Sequence, residues 1–260
     1  MYSTVWDLFS RPKPIVAVIH VSPSPGVPGS RDVQAAVDRA VAESRLLVEL
    51  GVDGLLVENA HDAPALGDEE TGPEVVAYMT RVAVSVKRNA SRLPVGVRVL
   101  NADRAALAVA HAAGCHFVRV DHWADDPTSA GRFHRYRETL GGDPIPVLAD
   151  IRPASVEGVP SLVAATEAAK PDALVVLGPA VGLSPPPGVV EAACDEATLP
   201  LFCGGGLGGD NLLDYVEAAD GFLVGSGLKE EGRWQGPVCE PNVRALIGAV
   251  EYARGQEVRQ

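Results

Sequence analysis

Two glycine-rich stretches near the end of the chain decide its fold: Leu199-Pro-Leu-Phe-Cys-Gly-Gly-Gly-Leu-Gly-Gly-Asp-Asn211 and Ala219-Asp-Gly-Phe-Leu-Val-Gly-Ser-Gly-Leu-Lys229. Each is a short apolar run that stops at glycines and is followed by a helical pattern. Glycines let backbone N–H groups approach a ligand closely, and the next helix presents its positive end there. In a chain of 260 residues, two such turns in tandem are typical of the phosphate site of a (β/α)8 barrel.

We therefore predict an anion site at these two turns, and the alternative is a pair of tight turns without a ligand. The predicted site comprises Gly204, Gly205, Gly206, Gly225, Ser226 and Gly227.

The number of apolar runs also fits such a barrel. Eight runs lie at 14–20, 54–58, 94–99, 116–121, 144–150, 172–177, 199–203 and 221–225. They are near-continuous rather than alternating, as expected of parallel strands covered by helices. Helical patterns fall at 32–50, 74–89, 102–113, 161–169, 189–197, 210–218 and 241–254, and long irregular stretches, including 122–131 and 229–241, follow the strands. We predict an α/β protein with a single (β/α)8 TIM-barrel domain over residues 1–260 and an active-site face at the strand exits.

Composition restricts the partners of the protein. Hydrophobic residues make up 47% and charged residues 22% of the chain, which is typical of a globular protein. The net charge of −12 disfavours nucleic acid and anionic membranes, but it permits a small anionic ligand, because local N–H groups and arginines override the global charge. Residues 1–13 lack an apolar signal region, and no apolar run reaches membrane-spanning length. We expect a soluble cytoplasmic protein and, by analogy with barrels of this size, a homo-oligomer.

A short signature recurs after three of the helical patterns. The segments Val52-Asp-Gly-Leu-Leu-Val57, Pro171-Asp-Ala-Leu-Val-Val176 and Ala219-Asp-Gly-Phe-Leu-Val224 share an aspartate before an apolar run. Aspartates at such turns hydrogen-bond local backbone groups. We predict that Asp53, Asp172 and Asp220 are structural and lie on the face of the barrel away from the chemistry.

Polar side chains stand where several predicted strands end, at positions that point into the site of a barrel. Buried charges are costly unless they are paired, so a packed core would not hold these residues without a reason. The residues are His20, Glu58, Asn59, Arg98, Asp121, His122, Asp150 and Arg152.

Four of these residues are candidates for catalysis. Glu58 is the best general acid or base, and Asp150 should lie opposite it as a partner carboxylate. The alternative for Asp150 is a salt bridge to Arg98 or Arg152. Asp121 is a third candidate, and His20 is either a base, a metal ligand or a satisfied core histidine.

The other four residues are expected to bind substrate: Asn59, Arg98, His122 and Arg152. Arg119 is a further candidate for binding an anionic group of the substrate. Because side chains alternate along a strand, however, we expect that of Arg119 to point outward.

Metal and Schiff-base chemistry are disfavoured. His20, Glu58, Asp121 and Asp150 could together ligate a divalent metal, but no HExxH-type spacing supports this, and we predict no metal and no cofactor. No lysine ends a strand in the middle of the chain, so a Schiff-base nucleophile is lacking. Lys229 is expected either to help neutralise a phosphate or to be a solvated loop residue.

Several motifs taken together indicate a family. Val18-Ile-His-Val-Ser-Pro-Ser-Pro25, Gly51-Val-Asp-Gly-Leu-Leu-Val-Glu-Asn59, Phe117-Val-Arg-Val120 and Asp220-Gly-Phe-Leu-Val-Gly-Ser-Gly-Leu-Lys229 resemble the BtpA/SgcQ family over about residues 14–250. The resemblance implies a TIM barrel. It also implies either a role in photosystem I biogenesis or an enzyme acting on sugar phosphates, sugars or nucleosides.

The chain departs from the family pattern at several site positions. Arg98 and Asp121 stand where the resemblance leads us to expect Asn. Pro153-Ala154 replaces a Lys-His pair, Gly178-Pro-Ala-Val-Gly182 replaces a loop bearing Ser and Thr, and Gly204-Gly-Gly206 replaces Gly-Ser-Gly. These changes indicate a divergent member with an altered ligand, in a specialised biosynthetic pathway, or one that has lost the ancestral activity.

Three functions follow from these observations. The leading hypothesis is a lyase or isomerase that uses acid/base chemistry on a phosphorylated sugar or sugar-derived small molecule. The second is a glycosidase that cleaves the C–N bond of a nucleoside or ribosylated compound. The third is a non-catalytic assembly factor.

Overall fold

Eight short parallel strands close into one barrel, and each strand pairs with the next one in the chain until β8 returns to β1. The structure is a computed structural model that describes residues 5–30, 32–121, 123–141 and 145–257. The predicted (β/α)8 fold class is confirmed. Pro144, in the fifth predicted strand, lies outside the described residues. The strands are β1 Ile15–His20, β2 Gly54–Glu58, β3 Val95–Arg98, β4 Phe117–Val120, β5 Val147–Ile151, β6 Ala173–Leu177, β7 Leu201–Gly204 and β8 Gly221–Val224.

Seven α-helices of the described residues surround this barrel: α1 Val33–Glu49, α2 Pro73–Asn89, α3 Asp103–Ala113, α4 Pro127–Thr139, α5 Val159–Ala168, α6 Pro187–Glu196 and α7 Glu240–Glu257. Two predictions were wrong. The stretch 122–131, predicted to be irregular, contains the start of α4, where the Asp126 side chain accepts hydrogen bonds from Thr128 and Ser129 and Pro127 fixes the first turn. The predicted helix 210–218 is only the short 3-10 helix Leu212–Tyr215, because many of its residues belong to tight turns.

The inside of the barrel is a packed core and not a channel. Alternate residues of each strand face inward, and the buried cluster includes Val16, Val18, Leu56, Phe117, Leu148, Val175, Phe202 and Leu223. A 3-10 helix at Val5–Leu8 closes the amino-terminal end of the barrel, and Phe9 packs its ring 6.4 Å from Phe117 and 6.0 Å from Phe202. Of the two ends of the barrel, the described residues therefore close the amino-terminal one and leave the carboxyl-terminal mouth open.

The three repeated aspartates hold neighbouring strands in register, as the sequence predicted. Oδ2 of Asp53 accepts from the backbone N–H of Ile15 at 2.9 Å, and Asp172 and Asp220 make the same bond to Val147 and Leu201 at 2.8 Å. The backbone N–H of each aspartate donates in return to the carbonyl of the same partner. These bonds lie at the amino-terminal end of the strands, so the three carboxylates are structural.

Candidate functional site

A pocket opens at the carboxyl-terminal mouth of the barrel, directly above the packed core. It lies over the ends of β1, β2, β3, β6 and β8, because the last inward-facing residue of each strand is the one that the core does not cover. Its polar wall combines cationic and titratable groups with glycine turns. The lining residues include His20, Glu58, Arg98, Arg119, Arg152, Gly178, Gly182, Gly205, Gly225, Ser226 and Trp234.

Arg98 occupies the centre of a buried ionic network. Its Nη1 lies 2.9 Å from the Glu58 carboxylate, and its Nη2 lies 2.5 Å from that of Asp121. A third carboxylate, that of Asp150, lies 3.5 Å from Nη2. All four side chains are nearly inaccessible to solvent. A guanidinium with three carboxylate neighbours is held rigidly and has little charge left for a ligand.

Arg119 is the second cation of this network, and the expectation that it points outward was wrong. Its Nε and Nη2 donate to the two oxygens of Asp150 at 2.7 and 2.9 Å, and Nη1 lies 3.4 Å from Glu58. Side chains alternate with a period of two along a strand, so Arg119 shares the inward face with Asp121 rather than alternating with it. The bidentate bond also shows that Arg119 is the main partner of Asp150. The two partners predicted from the sequence lie farther away, Arg98 at 3.5 Å and Arg152 at 3.8 Å.

The network shifts the pKa values of its carboxyl groups in different directions. Burial alone would raise the pKa of Glu58, but the charges of Arg98 and Arg119 outweigh burial and lower it to about 2. In the same way Arg98 outweighs burial at Asp121 and holds the pKa of that carboxyl below its usual range. Burial prevails at Asp150, whose pKa is raised despite Arg119. Glu58 and Asp121 are therefore ionised at neutral pH and are weak bases.

Asp121 and Asp150 face a second, smaller pocket between β4 and β5. Asp125, Ile151 and Leu162 complete the wall of this pocket together with Arg152. Arg152 lines both pockets, and 42% of its side chain is exposed. Of Arg98, Arg119 and Arg152, Arg152 has the longest contact with its nearest carboxylate, so its charge is the most available to a ligand.

His20 ends β1 beside this network and contacts Trp234. Its Nδ1 lies 2.9 Å from the Trp234 carbonyl oxygen, and the two rings meet edge to face at 5.7 Å. Burial lowers the pKa of His20, although the negative charge of Glu58 opposes this shift. His20 is thus a neutral imidazole on the pocket wall at physiological pH.

The predicted substrate-binding residue Asn59 does not line the pocket. Asn59 is buried, its Oδ1 accepts from the backbone N–H of Leu100 at 2.8 Å, and its Nδ2 donates to Asp62 at 2.9 Å, so its amide joins two loops. His122 lies outside the described residues.

The predicted glycine site divides into two groups. Gly205, Gly225 and Ser226 line the pocket. Gly204, Gly206 and Gly227 do not, and close backbone packing explains two of them. A Cβ on Gly206 would lie 2.4 Å from the backbone nitrogen of Ser184, and one on Gly227 would lie 1.7 Å from the Leu207 carbonyl oxygen.

Lys229 is neither a phosphate ligand nor a solvated loop residue, which corrects the sequence-based expectation. Its side chain is 1% exposed, and Nζ lies 2.7 Å from Glu43 of α1. The pair fixes the loop after β8 to the helix layer. Within the described part of the chain, no group of three or more His, Cys, Asp or Glu side chains is arranged to hold a metal ion.

The geometry can now be compared with known proteins. A model of the BtpA family matches residues 11–252. The chain belongs to the BtpA family. Photosystem I biogenesis protein BtpA of Synechocystis sp. is 32% identical to it over 95% of this chain and 91% of that protein. The resemblance stated from the sequence is therefore confirmed.

Solved structures of low sequence identity share the fold of this BtpA-family chain. (S)-3-O-geranylgeranylglyceryl phosphate synthase of Thermoplasma acidophilum, solved with sn-glycerol-1-phosphate, is 12% identical, with a TM-score of 0.62 over 92% of this chain and 94% of that one. 3-Hexulose-6-phosphate synthase of Salmonella typhimurium is 14% identical, with a TM-score of 0.61 over 92% and 99% of the two chains. At such identities the likeness establishes the barrel and nothing about the ligand. No helix among the residues that the structure describes is long and apolar enough to cross a membrane.

Sequence reasoning named Arg119 but misjudged its orientation, and it missed Trp234. The spacing of two between Arg119 and Asp121 would have placed Arg119 on the inward face. Trp234 carries no such signal, because it lies in the irregular stretch after β8 and reaches the site only through the path of that loop.

Proposed function

We propose that the chain is an enzyme, a lyase or isomerase, which binds a phosphorylated sugar or sugar-derived small molecule at the mouth of the barrel and moves a proton on it. The observation that carries the proposal is the wall of the main pocket. It combines a neutral imidazole, an ionised carboxylate, an available guanidinium and glycine turns within one cavity.

The anionic part of the ligand would lie near the turns after β6, β7 and β8. Gly205, Gly225 and Ser226 place backbone there without a bulky side chain, so N–H groups can approach phosphate oxygens. Arg152 lines the same pocket and has its nearest carboxylate at 3.8 Å. A half-exposed arginine of this kind can reorient toward a phosphate and bind it through two parallel hydrogen bonds.

The proton would be taken by His20 rather than by Glu58. A carboxylate whose pKa is about 2 is a weak base at pH 7, whereas a neutral imidazole is suited to accept a proton. The charge of Glu58 then stabilises the imidazolium that forms. Asp150 holds Arg119 through its bidentate bond, and Asp121 holds Arg98 in place, so both carboxylates position cations of the pocket wall.

The names of the structural neighbours agree with this choice of ligand. One was solved with sn-glycerol-1-phosphate and another is a synthase of a hexulose phosphate. The BtpA relative is named for photosystem I biogenesis, which corresponds to the non-catalytic hypothesis.

A thermal-shift screen tests the proposal. The purified chain is melted with sugar phosphates, nucleosides, nucleotides and inorganic phosphate at constant ionic strength, and a ligand that binds the native state raises Tm according to RT ln(1 + [L]/Kd). We expect a shift with sugar phosphates, and we expect it to be lost in Arg152→Met. Arg244→Met removes an exposed arginine that does not line the pocket and is the control. No shift with any phosphorylated compound refutes the proposal.

Product analysis separates the competing functions. Trp234 on the pocket wall offers an aromatic surface on which a nucleobase could stack, and this favours the C–N glycosidase as the second candidate. Release of a free base from a nucleoside would establish the glycosidase, whereas a product of unchanged mass would establish an isomerase. The assembly-factor hypothesis predicts that Glu58→Gln and Asp150→Asn leave the biological function intact in a strain that lacks the wild-type protein.

A further inference from the structure

The ring of His20 has a defined orientation because one of its nitrogens faces a carbonyl group. Nδ1 lies 2.9 Å from the backbone oxygen of Trp234. A carbonyl oxygen only accepts hydrogen bonds, so Nδ1 must carry the proton of the neutral ring. Nε2 then has a lone pair and acts as an acceptor.

The backbone of Gly225 lies close to Nε2. A Cβ built on Gly225 would lie 2.9 Å from Nε2, so any other residue at this position would crowd the nitrogen. Among the described residues none donates a hydrogen bond to Nε2. His20 and Gly225 both line the main pocket, so a ligand in this pocket can reach the lone pair.

Burial keeps the ring of His20 neutral. Burial lowers its pKa and the charge of Lys229 lowers it further, whereas Glu58, the Trp234 carbonyl and Glu43 oppose these effects. His61 also contacts Trp234, with a ring-centroid distance of 4.7 Å, and burial lowers the pKa of His61 as well. A neutral ring with a free lone pair attracts a hydrogen-bond donor, and it does not attract a fully ionised phosphate oxygen, which can only accept.

The loop that supplies the Trp234 carbonyl is fixed at its base. Glu230 donates from its backbone N–H to the Pro237 carbonyl at 3.1 Å, and Lys229 and Val238 form an antiparallel bridge. The buried bond from Lys229 to Glu43 joins this base to α1. The carbonyl therefore has a defined position relative to His20, as the partner that sets a histidine tautomer must have.

We propose that His20 recognises a hydroxyl group of the ligand beside its phosphate, with Nε2 as the acceptor and the Trp234 carbonyl as the group that positions the ring. The proposal rests on the proposed function and narrows its substrates to phosphorylated polyols and sugars. Phosphate esters without a hydroxyl group are excluded from tight binding, because Nε2 would be left without a donor. In a proton-transfer step the same nitrogen is the one that accepts the proton.

Nuclear magnetic resonance of the full chain labelled with [15N]histidine tests the tautomer. The chain has six histidines, and the His20 signals are assigned by their absence in His20→Gln. We expect an Nδ1–H tautomer that is still neutral at pH 6.5, the ordinary pKa of histidine. An Nε2–H tautomer or a charged ring at pH 6.5 overturns the inference, whatever ligand binds.

A pair of phosphate esters tests the hydroxyl contact. Glycerol 1-phosphate and propyl phosphate have the same carbon chain and charge, and differ in their hydroxyl groups. One hydrogen bond corresponds to about fivefold in Kd, so the wild-type chain should bind glycerol 1-phosphate about fivefold more tightly or better. His20→Phe should bind both esters equally, and His61→Gln, which changes the other histidine in contact with Trp234, should keep the preference.

The outcomes distinguish the two proposals. Equal binding of both esters by the wild-type chain, or a preference that survives in His20→Phe, overturns the hydroxyl contact and leaves the proposed function standing. If glycerol 1-phosphate, propyl phosphate, inorganic phosphate and the sugar phosphates of the thermal-shift screen all fail to raise Tm, the proposed function is refuted and the hydroxyl contact with it.

Discussion

Removal of Arg98 is the perturbation for which the structure gives the clearest magnitude. Arg98→Met takes away a guanidinium that lies 2.9 Å from Glu58 and 2.5 Å from Asp121, and leaves their charges buried with Arg119 as the remaining close cation. Breaking a buried ion pair by removing one partner costs about 3–5 kcal/mol. In a domain of this size each kcal/mol corresponds to about 2–4 °C, so Tm should fall by about 6–20 °C.

The pKa of Glu58 gives a second measure of the same effect. A pKa of about 2 in place of the ordinary 4.5 corresponds to about 3 kcal/mol of stabilisation of the ionised group, shared between Arg98 and Arg119. Because the folded pKa is depressed, this stability is complete above pH 4.5 and is lost as the pH falls toward 2. The difference between wild type and Arg98→Met should therefore be largest at pH 7 and smaller at pH 3.5.

Urea unfolding at pH 7 and pH 3.5 is the assay. Arg244→Met, which breaks an exposed pair with Glu240, is the control and should cost less than about 1 kcal/mol. The double variant Arg98→Met, Glu58→Gln should recover part of the loss, since it removes one of the unpaired charges. The reasoning is refuted if Arg98→Met costs no more than Arg244→Met, or if its cost is the same at both pH values.

Three further predictions concern other buried groups. Gly225→Ala places a Cβ 2.9 Å from Nε2 of His20, and should reduce binding of glycerol 1-phosphate more than tenfold in a thermal-shift titration while the far-ultraviolet circular dichroism stays unchanged. Lys229→Met removes the buried partner of Glu43 and leaves it only Arg39 of the described residues, at 3.6 Å, and should lower the urea-unfolding free energy by about 3 kcal/mol, with partial recovery when Glu43→Gln is added. Burial and the charge of a neighbouring aspartate raise the pKa of Asp103 to about 7, so ionising it destabilises the fold as pH rises from 3.8 through 7. Between pH 5 and pH 8 the wild type should therefore lose about 2–3 kcal/mol of unfolding free energy that Asp103→Asn, which does not ionise, does not lose, and an equal pH dependence of the two proteins would contradict this.

The barrel was predictable from the sequence because its elements are specified locally. Each strand is a short apolar run that ends at a polar residue or a glycine, and this pattern does not depend on distant residues. The turn position of Asp53 was predictable for the same reason, but its partners were not, because its carboxylate accepts from Ile15 on β1 and from Arg254 of α7. The missed helix α4 has a local signal as well, because Asp126 and Pro127 form a recognisable amino-terminal cap.

The ionisation and the ion pairing of the site residues could not be predicted from local patterns. The strand ends gave the position of Glu58, but its ionisation depends on Arg98 and Arg119, which belong to two other strands. The inward position of Arg119 is a matter of strand alternation, whereas its bidentate bond to Asp150 depends on the register between β4 and β5.

The sequence by itself determined the eight-stranded barrel, the family and the face on which polar residues gather, because hydrophobic periodicity and turn chemistry act over a few residues. Only the tertiary structure decided which of these residues remain available to a ligand. It paired Lys229 with Glu43 across the helix layer, used the amide of Asn59 to join two loops, and placed the Trp234 carbonyl against His20. Such pairings join residues far apart in the chain, and closure of the barrel brings them within hydrogen-bond distance.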